Sequence, residues 1–224
     1  MPRIELDHAS VTVPVSGGEQ TILEPTTLTL TEQRIGLVGA NGSGKSTLAR
    51  LVNGLVTPSS GRVLVDGVDV ARDGAAVRRR VGFCFTDPAA QLVMPTCVED
   101  VELSLRRSVR DAKERRRQAL EVLDRYGLAA QAELSVHSLS GGQRQLLALA
   151  GVLATDPAIL VADEPTTLLD LANTRREGEV LLVHHESGAV AYLNRPGVKV
   201  TLATEPGPTT GALPSPKRKP PIPM

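Results

Sequence analysis

A single nine-residue stretch, Gly39-Ala40-Asn41-Gly42-Ser43-Gly44-Lys45-Ser46-Thr47, constrains the fold of this chain more than any other. It fits the pattern G-x-x-x-x-G-K-[ST], from Gly39 through Gly44-Lys45-Ser46. Upstream, Arg34-Ile35-Gly36-Leu37-Val38 is a short apolar run of the kind expected of a buried parallel strand. Downstream, Leu48, Leu51, Val52 and Leu55 recur at helical spacing on one face. A strand feeding a glycine-rich turn and then a helix predicts a phosphate cradle. Glycines let the backbone wrap closely around phosphate oxygens with its N–H groups turned inward. The helix N-terminus adds a field that favours an anion. In such a cradle Lys45 supplies a point charge to the β- and γ-phosphates of a nucleoside triphosphate, and the Ser46 hydroxyl can ligate Mg2+.

Bulk properties narrow the function classes. The 224 residues suffice for one sizeable domain with its own core. Formal net charge is zero, which argues against bulk electrostatic binding to nucleic acid or to anionic lipid. Aromatic residues make up 2% of the chain, too few for stacking platforms along a single strand. Cys84 and Cys97 lack metal-ligand spacing and fit a reducing compartment as small buried apolar residues. The N-terminus has no apolar core of a signal peptide, and no window approaches the length of a membrane span.

Along the chain, residues 4–35 read as β-structure, with Val11, Val13 and Val15 alternating with other residues before Gly17-Gly18. Val63-Leu64-Val65, the turn Asp66-Gly67 and Val68-Asp69-Val70 predict a hairpin. Residues 81–85 predict a further buried strand. Residues 96–133 read as largely helical, with Leu120, Leu123 and Tyr126 as the expected buried stripe. Arg115-Arg116-Arg117 is expected on a solvated face, because acidic residues are interleaved with it. A helix is expected from Gln143 towards Pro157, then a strand over 159–162. Eight of the sixteen prolines fall in residues 196–224, so residues 206–224 are expected to form a disordered tail containing Lys217-Arg218-Lys219.

Asp163-Glu164 closes the strand over 159–162. Beside a phosphate loop, Asp163 can hold Mg2+ through water and Glu164 can polarise an attacking water. With Leu139-Ser140-Gly141-Gly142-Gln143 and the turn Thr167-Leu168-Leu169-Asp170, these elements stand in a fixed order. Over residues 4 to about 175 that order resembles the ATP-binding-cassette ATPases. The resemblance implies an α/β fold: a P-loop NTPase (RecA-like) core with an antiparallel β subdomain and a helical subdomain at about 87–137. The ATPase domain would span residues 1–205, with an atypical part after about 176. It implies that ATP and Mg2+ are the cofactors. Gly39 through Thr47 would bind the nucleotide of their own protomer. Ser140, with the backbone of Gly141 and Gly142 and with Gln143, would face the γ-phosphate held by a second protomer, in a homo- or heterodimer. Hydrolysis would then part the two halves and drive a partner.

Residues 81–96 and 162–170 look like the energy-coupling-factor importers of vitamins and transition metals, most similar to the biotin-type ATPases. That resemblance implies docking at the cytoplasmic face of a membrane, peripherally, on a transmembrane subunit and a substrate-binding membrane subunit, with no nucleic acid. Three departures stand out. No aromatic lies near residue 13 to stack on adenine, so Val13 or Val15 must serve. The family's Mg2+-contacting glutamine aligns with Thr86, two bonds shorter, for which a bridging water is expected. Gln91 could substitute for it, but is expected rather to help dock the membrane partner. The family's γ-phosphate histidine aligns with His185, yet only fourteen residues separate it from Asp170, where a three-turn helix, a loop and a strand need more than about twenty. Either a helix is severely shortened, or residues after about 176 no longer follow the family; the Pro-rich end supports a rearranged C-terminus. The alternative readings are a cassette that binds nucleotide without turnover, and a soluble non-transport ATPase. A single cassette with no coiled-coil arms and no basic excess disfavours the latter.

Overall fold

The computed structural model describes residues 2–32, 35–37 and 42–163. Strands β1 (Ile4–Val15) and β2 (Gly18–Leu30) form a long hairpin, then helix α1 (Lys45–Asn53) leads to β3 (Ser60–Val65) and β4 (Val68–Asp69). These four strands make an antiparallel sheet in the order β2-β1-β3-β4. The turn between β3 and β4 is Asp66-Gly67, both at positive φ, as a two-residue hairpin of this hand demands. Helix α2 (Gly74–Arg80), its first turn capped by the Asp73 carboxylate, runs directly into β5 (Val81–Cys84).

Helices α3 (Cys97–Leu105), α4 (Ala112–Arg125) and α5 (Gly141–Leu153) follow, and β6 (Ile159–Ala162) ends the described chain. β6 lies parallel to β5, with Val81 opposite Ile159 and Cys84 opposite Ala162. Parallel strands need a long crossover, and here the three helices supply it. The register is held by close packing: a Cβ on Gly82 would lie 2.5 Å from Val152 Cγ1 and 2.9 Å from Pro157 Cγ. Only glycine lets β5 approach the end of α5 so closely.

Two apolar clusters result. One joins the antiparallel sheet to α1 and α2 through Leu6, Val11, Leu51, Val63, Val65 and Val77, with Ile35 and Leu37 packed against it. The other lies among the helices, where Val98, Val101, Ala119, Leu123, Leu139 and Leu147 meet. The expected stripe on α4 is corrected here. Leu123 is fully buried, but Leu120 is 38% exposed and Tyr126 half-buried. The buried face runs through Ala119 and Leu123, an i, i+4 pair. Leu120 sits one residue on, and about 100° of helical rotation turns it away. Arg116 pairs with Glu102 and Glu133, and Arg117 with Glu114 and Glu121. Hydrogen bonds from Arg117 and then Gln118 draw the Glu114 carboxyl down to about 2.

Both cysteines are free and buried. Burial pushes the Cys84 thiol up to about 11, and raises that of Cys97 as well. The thiolate is the reacting form, so at pH 8 only about one Cys84 in a thousand is reactive. Iodoacetamide at that pH is expected to leave Cys84 unmodified in the folded chain and to label it in denaturant. Intact-mass measurement reads the difference. Native labelling at the denatured rate would contradict this burial.

Candidate nucleotide and magnesium site

The sequence-predicted residues Gly39, Ala40, Asn41, Glu164 and His185 lie outside the described residues. The remainder of the loop leads straight into α1. Gly44 is the N-cap of that helix at φ 85°, and no side chain caps the helix there. The conformation favours glycine, and so does the surrounding space: a Cβ at Gly44 would stand 2.7 Å from the Ile22 backbone oxygen and 3.2 Å from Leu23 Cδ1. Strand β2 thus backs the turn, and the helix opens at a glycine with no side-chain cap, the setting of an anion site. Ser43 is exposed, whereas Lys45, Ser46 and Thr47 are half-buried at the start of the helix. Leu48, Leu51 and Val52 pin the other face of α1 into the first core.

The end of β6 brings the acidic partner. Asp163 N donates to Cys84 O at 3.0 Å, which extends the parallel pairing by one residue. Its carboxylate is 12% exposed and accepts the Ser46 hydroxyl at 3.0 Å, joining residues 117 apart in the chain. Arg50 stands 4.0 Å from the other carboxylate oxygen. Among the described residues no group of three or more His, Cys, Asp or Glu gathers to hold a metal. The Ser46–Asp163 pair nonetheless fits Mg2+. Both donors are hard oxygen atoms, and Mg2+ is characteristically held by one or two carboxylates, waters and substrate phosphates rather than by an all-protein cage.

Thr86, the third residue expected at the metal, follows the end of β5. Its hydroxyl donates to the Asp163 backbone oxygen at 2.9 Å. Gln91 corrects an expectation. Its Oε1 accepts from Phe85 N at 3.2 Å and its Nε2 donates to Ala148 O at 3.0 Å. Both ends of the amide are engaged inside the chain, so Gln91 braces the loop after β5 against α5 rather than presenting itself to a partner. The Asp100 carboxylate fixes the next part of that loop, accepting from Val93 N and Met94 N. Sequence reasoning missed a second brace. Gln145 on α5 is 1% exposed, and its Nε2 stands 3.5 Å from both Phe85 O and Cys84 Sγ. A glutamine immediately ahead of the apolar run Leu146-Leu147-Ala148 was the available signal.

Ser140 is exposed and N-caps α5. Its Oγ accepts from Gln143 N at 3.2 Å while its own N–H donates to Gln143 Oε1 at 2.9 Å, a reciprocal capping box. Gly141 and Gly142 then open a thirteen-residue helix at the surface, with Leu147 anchored in the second core. Of the residues expected under adenine, Val13 is half-buried and Val15 is 44% exposed near the tip of the first hairpin.

Comparison with known proteins agrees with this geometry. The family model for ABC transporters matches residues 23–167. A putative ABC transporter ATP-binding protein of Bartonella quintana is 49% identical over 164 residues, 73% of each chain. The biotin transport ATP-binding protein BioM of Rhizobium etli is 47% identical over 159 residues, 71% of this chain and 70% of that one. Among solved structures, the ATP-binding cassette MJ0796, a dimer bound to ADP and Pi, is 31% identical with a TM-score of 0.69, covering 76% of this chain and 77% of that one. The structure of cbiO1 from Clostridium perfringens, part of the ABC transporter complex cbiONQ, is 32% identical with a TM-score of 0.62, over 76% of this chain and 68% of that one. With its phosphate loop, acidic strand end and capped Ser-Gly-Gly helix in one fold, the chain belongs to the ABC transporter family, as an ATPase cassette whose cofactors are ATP and Mg2+.

Proposed function

We propose that the chain is the ATP-hydrolysing subunit that powers a membrane importer of a vitamin, with biotin foremost, or of a transition-metal ion. The observation that carries the nucleotide half of this reading is the contact between Ser46 Oγ and Asp163 Oδ1. It joins the helix that opens at the phosphate loop to the acidic end of β6, where a Mg2+–triphosphate needs both. Gly39 to Thr47 hold the phosphates, and Ser46 and Asp163 hold Mg2+. The importer half is supported by the biotin transport relatives and by the relatives named as energy-coupling factor ATP-binding proteins.

In this reading two cassettes close around ATP, and the exposed helix N-terminus at Ser140, Gly141, Gly142 and Gln143 meets the γ-phosphate of the other protomer. The partner cassette is a second copy or a related chain. ATP is then a differential ligand for the closed state, and loss of its γ-phosphate reopens it. The motion is passed to a transmembrane subunit, beside which a separate membrane subunit selects the solute. The cassette docks on that subunit peripherally, at the cytoplasmic face; no described helix is long and apolar enough to cross a membrane. Glu164 activates the attacking water, and His185 contacts the γ-phosphate.

Two assays test this. Purified protein is expected to release phosphate from ATP only with Mg2+, and to shift from monomer to dimer on size-exclusion chromatography when ATP is added. Vesicles carrying the membrane subunits should then take up radiolabelled biotin, or a transition-metal ion, in an ATP-dependent way. Thr86 in place of the family's glutamine and the short interval before His185 favour a second reading, a cassette that binds without turnover. Tight ATP binding with no phosphate release, even beside the membrane subunits, would establish that one instead.

A further inference from the structure

The Thr86 hydroxyl spends its proton on a backbone carbonyl, and the choice of carbonyl matters. The Asp163 oxygen that accepts it at 2.9 Å belongs to the peptide group linking Asp163 to Glu164. A peptide group is planar, so holding its oxygen holds the plane through which the chain passes from one carboxylate residue to the next. Three bonds converge on Asp163. Its N–H is held by Cys84 O, its side chain by Ser46, and its carbonyl by Thr86. Strand pairing supplies the first and the phosphate-loop helix the second. The third comes from a side chain on neither element, just past the end of β5 and half-buried.

We propose that Thr86 is a positioning residue for turnover, which acts through the Asp163 carbonyl to set the peptide plane before Glu164. This rests on the functional reading above. A hydroxyl is well suited to the task. Its single proton goes to the carbonyl, and its short stem keeps the oxygen against the strand end, where a glutamine amide would extend about two bonds further. A half-buried carbonyl that loses its donor is left less well paired, and the peptide leading on to Glu164 would loosen while the Asp163 N–H and carboxylate keep their bonds to Cys84 and Ser46. The effect should fall on the rate and not on nucleotide affinity.

The test compares wild type with Thr86→Val, which keeps the shape and removes the donor, and Thr86→Ser, which restores it. Four quantities are measured: MgATP affinity, kcat, melting temperature, and amide hydrogen exchange of a peptide spanning 160–166 in nucleotide-free protein. One net hydrogen bond corresponds to roughly three- to tenfold in an equilibrium or a rate. In Thr86→Val, kcat is expected to fall and exchange of the 160–166 peptide to rise by about that factor. MgATP affinity should hold, melting temperature should fall by no more than about a few degrees, and Thr86→Ser should sit at wild-type values. Unchanged exchange and unchanged kcat in Thr86→Val would overturn the proposal. So would a loss of affinity equal to the loss of rate, which would mark Thr86 as a binding group. Should wild type neither bind nor hydrolyse MgATP, the functional reading fails, and the exchange measurement alone decides whether Thr86 anchors the segment.

Discussion

Asp163→Asn is expected to lower magnesium-dependent nucleotide affinity and turnover by two to three orders of magnitude while leaving the fold intact. The substitution is nearly isosteric. An asparagine oxygen can still accept the Ser46 hydroxyl that Asp163 Oδ1 accepts at 3.0 Å, and the backbone bonds from Cys84 and Thr86 do not involve the side chain. What is lost is the negative charge. A metal ion in a phosphoryl site contributes several kcal/mol of charge stabilisation, and each 1.36 kcal/mol is tenfold in rate. Removing the carboxylate that retains the ion therefore costs about 100- to 1,000-fold. Arg50, 4.0 Å from the other oxygen, makes the charge change worse for the cation, because its guanidinium then stands beside a neutral amide. Titration of a fluorescent ATP analogue with Mg2+ and with EDTA separates the two contributions: the variant should bind nearly as weakly with Mg2+ as wild type does without it. A thermal melt within a few degrees of wild type would show that the loss is electrostatic. An Asp163→Asn protein that hydrolyses at the wild-type rate would remove Asp163 from the metal site.

Much of this site was legible because its parts are local. Gly44 to Thr47 announce a turn and a helix start within a few residues, and the β6 run Ile159 to Ala162 is a short apolar stretch between Pro157 and an acidic pair. Hairpin chemistry at Asp66-Gly67 is likewise written in two residues. The contact between Ser46 and Asp163 is not local, and it could be foreseen only because a phosphate cradle and a strand-end carboxylate share one ligand. Where no common ligand links distant segments, the sequence is silent. Gln91 to Ala148 and Gln145 to Phe85 are single hydrogen bonds between segments about sixty residues apart, with no periodicity to betray them. Leu120 failed for another reason. On α4 the charged residues lie on several sides, so the apolar spacing admitted a stripe rotated by one position, and only the packing of Ala119 and Leu123 against α3 decides it. Alignment placed Thr86 as a residue type, and the direction of its proton, onto the Asp163 carbonyl, came only with the structure.

Glu164→Gln should part hydrolysis from binding in the way Asp163→Asn cannot. The two residues are neighbours, yet their proposed chemistry differs: Asp163 is assigned to the cation, whereas Glu164 is assigned to the water that attacks the γ-phosphate. An amide cannot take a proton from that water. General-base catalysis is worth about 10²- to 10⁴-fold, so phosphate release should fall by that factor. Mg2+–ATP affinity should stay near wild type, because neither the phosphate cradle nor the Ser46–Asp163 pair is touched. The persistence of the γ-phosphate has a structural consequence. If ATP holds two cassettes closed only while that phosphate bridges them, slowing its loss must prolong closure. The variant should therefore elute as a dimer on ATP, with the nucleotide recovered unhydrolysed, under conditions where wild type returns to monomer. Full activity in the variant would reject Glu164 as the activating base. Equal, negligible phosphate release from both proteins, with both held as ATP dimers, would mean that wild type already lacks turnover. The departure near His185 would then be the place to look, since it bears on contact with the γ-phosphate and not on Mg2+ retention.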